Sequence, residues 1–262
     1  ICVGGSGRSE GLAKALRSTP ARETLVWSLA ELVESTEVQG LDIDFEVPSG
    51  DDDYRALGDF LKDLKSAIPG RLVTLPIHPG QEQQVLRHGI LETVDFVSEM
   101  AYDNFCHFPP TDPPCRHSTL EFSDLIVRHL TSLGLDTSKI LLGLPFYGRD
   151  MQNGEAKTYA ELLEMAMSER GYDGGDEVSG FSFNGPRTLA QKVDLASRSN
   201  LGGVMIWEVG QDAPLVAADD DGDEDDDEER SLLASVWTAA TQPAGRLRRK
   251  RQNKRRNNKQ EL

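Results

Sequence analysis

The stretch Gly40-Leu41-Asp42-Ile43-Asp44-Phe45-Glu46 alternates apolar and acidic residues. Side chains on a strand point to opposite faces in turn. Leu41, Ile43 and Phe45 therefore share one face, and Asp42, Asp44 and Glu46 share the other. Three carboxylates on one face repel, raise one another's pKa and cost energy. A strand chosen for stability alone avoids such a cluster, whereas active sites tolerate it. The plainer alternative is an exposed amphipathic strand with an acidic outer face. Pro48 and Gly50 end the stretch, which puts Glu46 at its carboxyl end.

Outward from this strand, short apolar runs alternate with helical periodicity. Ile1 to Gly5 reads as a strand running into a Gly pair, and residues 21–36 as a helix with Leu25, Leu29, Leu32 and Val33 on one face. Asp51 or Asp52 is expected to cap a helix that buries Tyr54, Leu57, Phe60, Leu61 and Leu64, with Pro69-Gly70 as its stop. Leu72 to Ile77, Val94 to Tyr102, Ile140 to Phe146 and Gly203 to Val209 read as strands, the second apolar enough to be covered on both faces. Helices are expected from Ser123 or Asp124 through Leu133, over Tyr159 to Met167, over Leu189 to Ala196 and over Leu232 to Ala240. This β/α alternation predicts an α/β protein with a parallel sheet, and the length favours a (β/α)8 TIM-type barrel over a small doubly wound sheet. Strands are expected to end near Gly5, Glu46, Ile77, Asp103, Tyr147 and Val209. That is six where a full barrel has eight, so the expected barrel is N-terminally incomplete, with poor folding of residues 1–262 alone.

In a barrel of this kind functional residues collect at the carboxyl ends of strands. Besides the acidic strand, those ends carry Met100-Ala101-Tyr102-Asp103, Pro145-Phe146-Tyr147-Gly148-Arg149 and Met205-Ile206-Trp207-Glu208. Carboxylates with aromatic rings suit a sugar: the rings stack on the apolar faces of pyranoses, and the carboxylates supply acid and hydrogen bonds. Singly, Tyr102, Tyr147 and Trp207 could be core aromatics and Arg149 a surface charge. Their shared placement carries the functional reading.

Taken in order, Gly4-Gly5, the strand Gly40 to Glu46, Met100 to Asp103, Pro145 to Arg149 and Met205 to Trp207 resemble glycoside hydrolase family 18. These are the chitinases with their lectin-like and endo-N-acetylglucosaminidase relatives. The resemblance implies hydrolysis of β-1,4-linked N-acetylglucosamine polymers by a retaining, substrate-assisted route. In that route the substrate's acetamido oxygen takes the place of a carboxylate nucleophile. It implies Glu46 as the general acid, its pKa raised by a neighbouring carboxylate and partial burial. Asp44 would hold the acetamido N–H, Asp42 would share a proton with Asp44, and Tyr102 would bond the acetamido oxygen. Trp207 would floor the sugar, Met100, Asp103 and Tyr147 would line the pocket, and Arg149 would contact substrate. No metal and no organic cofactor is implied; the partner is chitin or an N-acetylglucosamine oligosaccharide, and the protein acts as a monomer. Alternatives are a non-catalytic chitin-binding lectin-like protein and an endo-β-N-acetylglucosaminidase acting on N-glycans. The chain departs from the family pattern at Gln39 (usually Asp), Val47 (commonly Tyr) and Ser6 (commonly Trp).

The chain of 262 residues carries a formal charge of −16, and 38% of it is hydrophobic. Residues 219–229 hold ten carboxylates and no base, and residues 246–259 hold nine Lys or Arg and no acid. The remainder is acidic in its own right and makes a poor nucleic-acid surface. The expected organisation is a partial barrel over residues 1–241, with 219–229 as a disordered acidic insertion, and a disordered basic tail over 242–262. The insertion could also bind cations or repel anionic substrates, although it lacks EF-hand spacing. The tail could bind nucleic acid or another anionic surface, act as a nuclear signal, or neutralise the acidic run. Cys106 and Cys115 could form a local disulfide or remain free thiols. Flanking His107 and His117 fit no zinc spacing, so no metal is expected. No apolar run approaches a membrane span. The family resemblance implies the secretory pathway with an extracellular destination. The terminal Lys259-Gln260-Glu261-Leu262, similar to a retention signal, leaves the ER lumen as the alternative.

Overall fold

The computed structural model describes residues 1–104, 116–169, 174–213 and 230–242. The expectations for Cys106, His107 and Cys115, for the acidic run 219–229 and for the tail beyond Gln242 lie outside the described residues. The chain forms two compact units: Ile1–Met100 with Ile126–Leu142, and Ala101–Leu125 with Gly143–Leu262.

The first unit is built on parallel strands. Strand β1 (Cys2–Gly4) is followed by helices α1 (Leu12–Arg17) and α2 (Thr19–Thr36), then by β2 (Gly40–Asp44), α3 (Gly50–Ala67) and β3 (Leu72–Ile77). Helices α4 (Glu82–Arg87) and α5 (Ile90–Thr93) lead to β4 (Phe96–Glu99). Helix α6 (Leu120–Ser132) precedes β5 (Ile140–Pro145). The strands lie in the order β1-β2-β3-β4-β5, and every pair is parallel. The register sets Gly4 opposite Asp44 and Asp42 opposite Thr74. Leu41, Ile43 and Phe45 are buried, as the alternation requires. Helix α3 buries Tyr54, Leu57, Phe60, Leu61 and Leu64, the face read from the sequence. Its cap differs from expectation. The helix starts one residue before Asp51, and Asp53 accepts from Ser49 N at 2.8 Å. A carboxylate inside the first turn thus reaches back to a free backbone donor, while Asp51 is drawn outward to Arg87.

The glycine at the end of β1 is required by geometry. Gly4 has φ +106, and a Cβ there would lie 2.1 Å from the Asp44 carbonyl oxygen. Only a residue without a side chain lets β1 approach β2 at that level.

In the second unit the end of β5 lies beside β10 (Gly203–Trp207), where Phe146 N donates to Trp207 O at 2.8 Å. A second, antiparallel sheet joins β6 (Tyr147–Asp150), β7 (Ala156–Thr158), β8 (Glu177–Val178) and β9 (Phe181–Ser182) in the order β7-β6-β9-β8. This corrects the reading of Pro145 to Arg149 as one strand end. The chain leaves β5 at Pro145, and Tyr147 to Arg149 belong to the antiparallel sheet. Helices α7 (Tyr159–Glu169), α8 (Pro186–Arg198) and α9 (Leu232–Thr241) pack on a core of Leu144, Phe146, Tyr159, Leu162, Phe183 and Leu189. Strand β4 is shorter than predicted, so Ala101, Tyr102 and Asp103 follow it as irregular chain. Helix α6 starts before Ser123, where Thr119 Oγ1 accepts from Phe122 N at 3.0 Å.

Candidate active site

The acidic face of β2 is anchored from below by backbone. Gly5 N donates to Asp44 O at 2.8 Å, and Ser9 Oγ lies 3.0 Å from the same oxygen while accepting from Glu46 N at 3.1 Å. Ser9 is buried, so the main chain between Asp44 and Glu46 has little freedom.

The three carboxylates have different surroundings. Asp42 accepts from Thr74 Oγ1 at 2.5 Å, across the β2–β3 ladder. Burial raises its pKa, and the Thr74 bond works against that rise. Asp44 is 5% exposed. Its Oδ1 has no hydrogen-bond partner among the described residues, and Cys2 Sγ is 4.0 Å from its Oδ2. Burial, then the Glu46 and Asp42 charges, push the Asp44 carboxyl up to about 6. Among the described residues no hydrogen bond joins Asp42 and Asp44; the Asp42 charge acts on Asp44 through space. Glu46 Oε2 lies 3.0 Å from His78 Nε2. His78 follows the last residue of β3, and Gln81 Oε1 accepts from its backbone N at 2.7 Å. Gln81 is fixed in turn by donating to Tyr54 OH at 2.7 Å. Met100, also in this unit and buried, donates its N–H to Ile77 O at 2.9 Å.

The second unit gathers Tyr102, Asp103, Tyr147 and Arg149. Arg149 grips Asp103 through Nε at 2.8 Å and Nη2 at 3.0 Å, and bonds Gly154 O at 3.0 Å. Its guanidinium carbon stands 5.3 Å from the centre of the Tyr147 ring, which meets the Tyr102 ring edge-on at 6.0 Å. His117 is fully buried; its Nδ1 accepts from Asp103 N at 3.1 Å. Nδ1 also stands 3.1 Å from Asp103 Oδ1, and Nε2 faces Tyr147 O at 3.2 Å. Burial, the largest influence, opposes charge on Asp103, but the His117 and Arg149 contacts outweigh it and hold the carboxyl below its ordinary value. Burial depresses His117, in keeping with a neutral ring. Behind this cluster the buried Lys192 ammonium bonds Ser118 Oγ at 2.6 Å and Asn184 Oδ1 at 2.8 Å, and Ser118 Oγ donates to Ala101 O at 2.6 Å. Trp207, at the end of β10, is 39% exposed.

The first unit thus groups Asp42, Asp44, Glu46 and Met100. The second groups Tyr102, Asp103, Tyr147 and Arg149 and also contains Trp207. Sequence reading missed Ser9, Thr74 and His78, and it took His117 for a loop residue when it is a buried anchor. Among the described residues no group of His, Cys, Asp and Glu could hold a metal ion. No described helix is long and apolar enough to cross a membrane.

Residues 1–212 match the sequence profile of glycosyl hydrolases family 18. The chain belongs to this family. Among curated members it is 23% identical to Nod factor hydrolase protein 1 of Medicago truncatula, over 81% of this chain and 68% of that protein. It is 22% identical to Chitinase 1 of Aphanocladium album, over 79% of this chain and 60% of that protein. The chain therefore spans about three-fifths to two-thirds of these relatives. Among solved structures, the chitinase-like agglutinin RobpsCRA from Robinia pseudoacacia superposes with a TM-score of 0.67 at 19% identity, covering 92% of this chain and 80% of that one. That likeness is one of fold, and with the parallel strand order it makes the family 18 chain a member of the (β/α)8 TIM-type class.

Proposed function

We propose that this chain hydrolyses β-1,4-linked N-acetylglucosamine polymers, chitin in the simplest case, by a retaining, substrate-assisted mechanism. The observation that carries the reading is Asp44. It is a buried carboxyl with one oxygen lacking any hydrogen bond among the described residues, and the charges of Glu46 and Asp42 both act on it. A buried acceptor without a partner is costly, and a donor from substrate would relieve it. The substrate's acetamido N–H is such a donor. Bound there, it would direct the acetamido oxygen at the anomeric carbon, and Asp44 would stabilise the oxazolinium ion that forms. Glu46 would protonate the glycosidic oxygen as the C–O bond breaks, then accept a proton from the water that opens the oxazolinium. Asp42, neutral or charged according to Asp44, would tune that carboxyl. Tyr102 would bond the acetamido oxygen, and Trp207 would stack under the sugar. Met100, Asp103 and Tyr147 would shape the pocket, with Arg149 holding Asp103 before any contact of its own to substrate. On this reading the protein works as a monomer outside the cytosol, in the secretory pathway or beyond the cell.

A lectin-like protein without turnover is the second reading, favoured by the likeness in fold to the Robinia agglutinin. Retention of Glu46 beside a hydrogen-bonding partner counts against it. The test is hydrolysis of N-acetylglucosamine oligosaccharides by the full chain and by Glu46→Gln. The expected loss in kcat is at least about 100-fold, as for removal of a general acid. Equal rates would remove Glu46 as the acid, and binding without products would favour the lectin.

A further inference from the structure

The family reading of the site assigns no role to a histidine, yet one touches the carboxyl on which the chemistry depends. His78 Nε2 is 3.0 Å from Glu46 Oε2. The two side chains are 37% and 20% exposed, so the contact is reachable by water but only partly screened. The charged group facing the pair within the first unit is Asp44 of β2, which feels both Glu46 and His78; no Lys or Arg forms an ion pair with any of the three among the described residues. The backbone of His78 is pinned through Gln81 to Tyr54, so the imidazole approaches from a fixed direction.

We propose that His78 is a positioning residue for Glu46: its Nε2–H holds Oε2 and leaves Oε1 for the glycosidic oxygen. The proposal rests on Glu46 being the acid. The Oε1 proton passes to the leaving oxygen as the C–O bond breaks, and the carboxylate formed keeps its bond from Nε2–H. That bond is stronger to the carboxylate than to the acid, so it lowers the energy of the transition state.

The test uses the full chain with a soluble N-acetylglucosamine oligosaccharide, comparing wild type, His78→Gln and His78→Ala. Glutamine keeps a donor to Oε2 without the ring. The expected result is a kcat about 10-fold lower in His78→Ala, with KM within about two-fold, and a kcat largely kept in His78→Gln. A His78→Ala kcat equal to wild type, or a His78→Gln kcat as low as that of His78→Ala, overturns the proposal. The contact is checked independently of turnover by NMR of the His78 ring: Glu46→Gln should shift its ring-proton resonances, and unchanged resonances overturn the contact whatever the activity. Absence of hydrolysis in wild type with shifted resonances would instead sink the proposed function while leaving the contact in place.

Discussion

Replacing Asp44 by Asn should make the folded chain more stable at neutral pH while disabling it as a catalyst. Burial and two neighbouring carboxylates push the Asp44 carboxyl from 3.8 to about 6. At about 1.4 kcal/mol per pH unit, ionising it in the fold costs about 3 kcal/mol more than in the unfolded chain. The sign is fixed by the direction of the shift. A carboxyl with a raised folded pKa is held equally well by both states' protonation below about pH 4, and its contribution to stability is lost as pH rises through about 6. Asparagine is nearly isosteric and has no charge to lose, so Asp44→Asn should match wild type near pH 4 and exceed it by up to about 3 kcal/mol at pH 7.5. Urea unfolding of the full chain at the two pH values measures this, as a rise in midpoint at unchanged slope. A variant no more stable than wild type at pH 7.5, or one with the same pH dependence, would refute the claim that this strand is strained by its own charge. Such a trade between stability and activity is expected where a site holds groups the fold would rather not ionise.

Two further outcomes follow from the first unit. Gly4→Ala places a methyl on the Asp44 carbonyl and should cost roughly 3 kcal/mol or more, read as a fall in the urea midpoint, because φ +106 is also hostile to alanine. Glu99 is fully buried, neither carboxyl oxygen has a partner among the described residues, and burial followed by the Glu82 charge raises its pKa well above the ordinary value. Glu99→Leu should therefore stabilise the chain by about 1–3 kcal/mol at pH 7 and by less at pH 4, where the acid is neutral in both states.

Much of the frame was legible because it rests on periodicity. The alternation from Leu41 to Glu46 and the spacing of Tyr54, Leu57, Phe60, Leu61 and Leu64 each bury one face. What stayed hidden has no period. The strands Glu177–Val178 and Phe181–Ser182 are two residues long, too short for any alternation to be read, and with them the second sheet was missed. His78 and His117 are single residues in irregular chain. Nothing local distinguishes an imidazole bound to Glu46 from one facing solvent, since the partner is 32 positions away. Asp53, not Asp51 or Asp52, reaches the Ser49 amide because the helix begins earlier than its acidic run suggests. The residues that carry the family resemblance were thus readable in sequence, whereas the groups that hold them were not.

The claim that Asp44 and Glu46 run a substrate-assisted reaction is tested most directly by the anomer first released. Proton NMR of a N-acetylglucosamine oligosaccharide digested by the full chain, read within minutes of mixing, should show new reducing ends as the β anomer, with none formed by Glu46→Gln. Initial release of the α anomer, or β product made equally by Glu46→Gln, would contradict it.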